Sequence, residues 1–134
     1  MTVRTRAQED MALALKLVSE VEQTIKDESR TGTKGRYQSL CQEFPVMVRT
    51  AGLCQAIAFS YAKKGEEEGL PRAHQLLLNH VAAILQPQPN VDALMKEIQD
   101  ASATEYMHMT RRVLDAWVYF KRFSKSVLSV EAQT

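Results

Sequence analysis

The sequence predicts an all-α fold: one compact helical bundle of about five to seven helices, a single domain over residues 1–134. Apolar residues recur at three- and four-residue steps in five separate stretches, the spacing that lines one face of a helix. No stretch alternates apolar and polar residues between turn signals, so no strand is expected. The helical stretches are divided by glycine- and proline-bearing breaks, and the chain's 134 residues and 45% hydrophobic content suffice for one buried core.

The first helix is expected from Thr5 to Asp27, with Met11, Ala14, Val18, Val21 and Ile25 facing inward and Leu15 and Leu17 widening the stripe. Asp10, Glu20, Glu22, Gln23 and Lys26 fill the other side. So long a helix either offers part of its surface to a partner chain or lies across the bundle as an edge. Arg30-Thr31-Gly32-Thr33-Lys34-Gly35-Arg36 reads as a flexible basic loop.

The stretch from Tyr37 to Lys64 is the organising element, a kinked helical hairpin on which the other helices pack. Val46, Met47, Leu53, Ile57, Ala58, Phe59 and Tyr61 supply its apolar face. Pro45 suits the first turn of a new helix, where its missing N–H has no partner to lose. Gly52 marks a break or a close backbone approach, because glycine inside a helix costs about 1 kcal/mol against alanine. Cys41 and Cys54 are too few for a disulfide framework or a metal site and are expected as buried thiols.

Gly65-Glu66-Glu67-Glu68-Gly69 is an acidic surface loop. Pro71 opens a helix to about Leu85, with Leu76, Leu77, Val81, Ile84 and Leu85 inward and Leu78 and Ala82 beside them. His74 and His80 lie six residues apart, about 240° around that helix, so they share no ligand. Pro87 and Pro89 end it, and Asn90 caps a short helix from Val91 to Asp100. Ser102 and Glu105 form a capping box for the last helix, which runs to about Val127.

No enzyme motif is present: no phosphate-binding glycine loop, no nucleophile elbow, no HExxH and no Cys-x-x-Cys. No catalytic, cofactor or metal residue is expected. No segment reaches the roughly 20 apolar residues that span a bilayer. The start MTVRTRAQEDM has no hydrophobic segment before a cleavage site, so a cytoplasmic protein is expected.

The overall charge of +1 hides an uneven distribution. Between residues 111 and 126 stand Arg111, Arg112, Lys121, Arg122 and Lys125 against Asp115 alone. At 100° per residue, Tyr106, Met109, Val113, Trp117, Phe120 and Val127 share one face of the last helix. His108, Arg111, Asp115, Tyr119, Arg122 and Ser126 share the other, with Arg112 and Lys125 at its flanks. That ridge suits a phosphate backbone, or it is a solvated helix face whose positive end complements the helix dipole. The candidate RNA-binding residues are Arg111, Arg112, Arg122 and Lys125, with Lys34 and Arg36 of the basic loop.

Phe44-Pro45, a short aliphatic turn, then Ala51-Gly52-Leu53-Cys54-Gln55-Ala56-Ile57-Ala58-Phe59 and Lys63 resemble a family signature. The family is the small helical subunit of type III-B CRISPR RNA-silencing complexes, the Cmr complexes of RAMP-module proteins. Ala51 stands where that family usually has asparagine. The likeness extends loosely over the whole chain. It implies a non-catalytic subunit that stacks with copies of itself into a short filament, joins other Cmr-complex subunits, and helps hold CRISPR RNA and target RNA. Two other readings of the residues are a helical protein-interaction adaptor and a small helical enzyme or ligand-binding bundle.

Overall fold

The computed structural model describes residues 3–132, which hold six helices and no strand. In chain order these are α1 (Arg6–Thr24), α2 (Thr33–Ala51), α3 (Leu53–Lys63), α4 (Leu70–Leu85), α5 (Val91–Asp100) and α6 (Ala103–Ser126). Helix starts follow their caps. Thr5 Oγ1 accepts from the Gln8 N–H while Gln8 Oε1 accepts from the Thr5 N–H, and Ser102 and Glu105 do the same for α6. Asn90 Oδ1 accepts from the Ala93 N–H at the start of α5. α1 stops at Thr24, short of the expected Asp27, because Ile25 turns to extended backbone. Asp27 then accepts from the Ser29 N–H in a turn of its own.

The organising element is α4 rather than the central hairpin. It packs against all five other helices. Leu77, Leu78, Val81, Ala82 and Ile84 are buried on several of its sides, leaving the flank of Arg72, Gln75 and Asn79 toward the surface. His74 and His80 are buried with them. His74 Nδ1 shares a hydrogen bond with Ser60 Oγ, and His80 Nδ1 shares one with the Tyr37 hydroxyl. Burial pushes the His80 pKa down to about 3, so the ring is neutral.

Pro45 does not begin a helix. It lies inside α2. There its missing N–H deprives the Cys41 carbonyl, four residues back, of its helical partner. The indole Nε1–H of Trp117 supplies the replacement, donating to the Cys41 oxygen at 3.0 Å. Trp117 is fully buried between the rings of Phe44 and Phe120, with centroids 4.9 and 4.7 Å away. A packing residue thus also repairs a backbone defect on another helix.

Gly52 does mark a break. With φ 92° and ψ 160° it ends α2 and starts α3 with no residue between, a conformation that only glycine adopts without strain. The α3 start is closed from α6, where the Tyr106 hydroxyl oxygen accepts from the Cys54 N–H at 3.0 Å. Leu53, Ile57, Val113 and Trp117 are buried as expected. Phe59 is not: it is 42% exposed, over His74, with the Lys63 ammonium 5.1 Å from its ring centre. Cys54 is also exposed, while Cys41 is buried.

α1 lies at the edge, packed mainly on α6. With α6 as its main neighbour, its buried stripe narrows to Asp10, Ala14, Val18 and Val21. Met11 and Leu15, expected inward, face out. Asp10, expected outward, is buried because Arg112 of α6 reaches it.

Candidate nucleic-acid interface

Ser102 and Glu105 set the start of α6, and its apolar face of Val113, Ala116, Trp117 and Phe120 fixes its rotation against the core. Two amides of α2 fix its other end. Gln38 Nε2 donates to the Ser124 carbonyl at 2.9 Å, and Gln42 Nε2 donates to the Lys121 carbonyl and to Ser124 Oγ. The two helices therefore run beside each other with a groove between them of about 650 Å³. Gln42, Pro45 and Arg49 line it from α2, and Leu114, Val118, Lys121, Arg122 and Lys125 line it from α6.

Four cations border this groove, and no carboxylate among the described residues does. Arg49, Lys121, Arg122 and Lys125 are exposed, and none forms an ion pair among the described residues. Arg111 continues the track in a second depression, which it shares with Arg49, Leu114, Val118 and one carboxylate, Asp115. From Arg111 to Lys125 the axial distance along α6 is about 21 Å. Cations left unpaired along such a track attract phosphates and release counterions when they bind them.

Three of the six residues expected from sequence stand on or beside this groove: Arg111, Arg122 and Lys125. Arg111 makes no ion pair with Asp115. Arg112 does not belong to the track. Its side chain is 22% exposed, and its Nη2 lies 2.7 Å from Asp10 Oδ1, so its charge is spent joining α6 to α1. Lys34 is also withdrawn. The supposed loop is helical from Thr33, and Lys34 is buried at 1% exposure with its ammonium 2.8 Å from Glu22. Gly35 explains this burial: a Cβ there would lie 2.5 Å from the Ser29 carbonyl oxygen, so the incoming chain passes directly over the first turn of α2. Arg36 is exposed, but its place on α2 is roughly 150° around from the mean direction of Gln38, Gln42, Pro45 and Arg49.

Arg49 and Lys121 were missed as site residues. Lys121 belongs to the basic segment but sits between the two faces of α6. Arg49 carries a faint signal: it follows Gln42 and Pro45 at seven and four residues, on one flank of α2.

Beside His80, two further buried groups are held neutral, Tyr37 and Cys41. Burial lifts the Tyr37 phenol well above its ordinary value, with the neighbouring Cys41 adding to the rise. Burial pushes the Cys41 thiol up to about 12 against opposing hydrogen bonds from Tyr37 and Ser124. Among the described residues no cluster of three His, Cys, Asp or Glu side chains could hold a metal ion. No helix there is long and apolar enough to cross a membrane.

Residues 6–127 match the family described as CRISPR-associated protein (Cas_Cmr5). A relative from Thermus thermophilus, CRISPR system Cmr subunit Cmr5, is 34% identical over 126 residues, covering 94% of this chain and 98% of the relative. The crystal structure of a CRISPR-associated Cmr5 family protein from the same organism superposes with a TM-score of 0.76 at 33% identity, over 93% of this chain and 99% of that one. The matched span, the shared identity and the superposition converge on one assignment: the chain belongs to the Cmr5 family of CRISPR-associated proteins.

Proposed function

We propose that the protein is a non-catalytic small subunit of a cytoplasmic type III-B CRISPR (Cmr) effector ribonucleoprotein. In this reading it helps assemble the complex, stacks with copies of itself in a short filament, and holds RNA backbone along the α2–α6 groove. The observation that carries the RNA role is the border of four cations that, among the described residues, have no ion-pair partner and no carboxylate beside them. Such a surface needs no base-reading side chains, because pairing between CRISPR RNA and target RNA supplies the sequence recognition. Guanidinium groups at 49 and 122 suit phosphate oxygens in two-point contacts, and the lysines act as point charges. Val118, at 43% exposure between them, gives a sugar or base edge an apolar surface.

A photo-cross-linking amino acid at Val118 in the reconstituted complex tests this reading. RNA is expected to be captured from position 118 and not from a second probe at Arg36 on the far flank of α2. Capture of protein alone from 118 would replace the RNA role with that of a helical interaction adaptor. The purified chain is expected to show no RNA cleavage.

A further inference from the structure

α1 has an outward stripe that the bundle leaves uncovered. Met11 is 48% and Leu15 44% exposed, with exposed Ala7, Gln8 and Ala12 around them. Between Arg4 at one end and Glu22 at the other, that stripe carries no charge, since Glu9, Lys16 and Glu20 project from other sides of the helix. α1 packs mainly on α6, so nothing among the described residues covers it.

We propose that this stripe is a self-complementary interface through which two copies of the chain pair with their α1 helices antiparallel. A twofold interface requires a patch that matches itself when reversed. An axis at the level of Leu13 does this. It sets Met11 against Leu15 of the second copy, Leu15 against Met11, and Ala7 against Ser19. The same axis brings the extended segment before α1, which carries Arg4, alongside the end of α1 that carries Glu22, whose contacts to the Lys34 ammonium and the Ser129 N–H both use Oε1 and leave Oε2 free for a guanidinium. Antiparallel alignment also places opposite helix-dipole ends together. Two helices meeting on so narrow a stripe bury little area, so the dimer is weak and reversible. It closes on itself, unlike a head-to-tail stack, and uses none of the groove residues.

Sedimentation equilibrium of the purified full chain, carried to about 1 mM, tests the proposal. The wild type is expected to populate a dimer reversibly, and Leu15→Glu to remain monomeric with unchanged helix content. A second measurement tests the register in a Cys54→Ser background. Mixed Met11→Cys and Leu15→Cys chains are expected to cross-link at least tenfold faster than Lys16→Cys chains with each other. A wild type monomeric throughout, a Leu15→Glu protein that dimerises equally, or equal cross-linking from Lys16→Cys would overturn it.

Discussion

Replacing Trp117 with phenylalanine removes one N–H and part of one ring from the core. The lost N–H leaves the Cys41 carbonyl without a partner, since Pro45 has no backbone donor to return to it. An orphaned buried acceptor costs about 1–3 kcal/mol. The smaller ring adds part of the 3–5 kcal/mol that full truncation of a buried tryptophan costs, in round figures. Pro45→Ala supplies a helical N–H to the same carbonyl. In that background Trp117→Phe should forfeit the ring packing but leave no orphan. The packing loss appears in both backgrounds and cancels. The coupling between the two positions should therefore be about 1–2 kcal/mol, with Trp117→Phe milder in the Pro45→Ala protein. Urea unfolding of the four proteins, followed by far-ultraviolet circular dichroism, measures it. Costs that add to within about 0.5 kcal/mol would refute the claim that the indole repairs the proline gap.

Other substitutions and pH bear on the rest of the bundle. Glu22→Gln should cost about 3 kcal/mol, because it strands a buried ammonium, and Lys34→Met should cost less, because Glu22 still reaches water; chemical denaturation would show the order. Phe59→Ala should be milder than Trp117→Ala, by thermal or urea unfolding, since Phe59 is half in solvent. The folded pKa of His80 lies near 3, below its unfolded value of about 6.5, so the unfolded chain binds the extra proton between those values. Its contribution is intact above about pH 6.5 and falls by about 1.4 kcal/mol per pH unit below that. Unfolding free energies measured across that window should lose this component of the slope in His80→Gln.

Local chemistry was readable from the chain; cross-helix chemistry was not. The caps at Asn90 and Ser102 and the break at Gly52 depend on neighbours a few residues away, and the sequence placed them correctly. Pro45 was misplaced because its partner for the lost bond comes from Trp117, on another helix. Lys34 and Arg112 looked free because the carboxylates that neutralise them, Glu22 and Asp10, lie on α1. The same limit hid the groove: α6 alone displays Arg111, Arg122 and Lys125, but only packing brings Arg49 of α2 to them. Phe59 and Met11 fit the period of their helices and still face solvent, because period gives a direction without saying whether a neighbour stands there.

The salt dependence of RNA binding by the reconstituted complex tests the groove most directly. Arg49→Ala with Arg122→Ala should weaken binding by about the same factor on unrelated RNA sequences. It should also reduce the slope of log affinity against log salt by about 0.7 for each single-strand phosphate that the variant no longer neutralises. Arg36→Ala, on the far flank of α2, should leave both quantities unchanged. An unaltered slope and affinity in the double variant, with the complex fully assembled, would contradict the account.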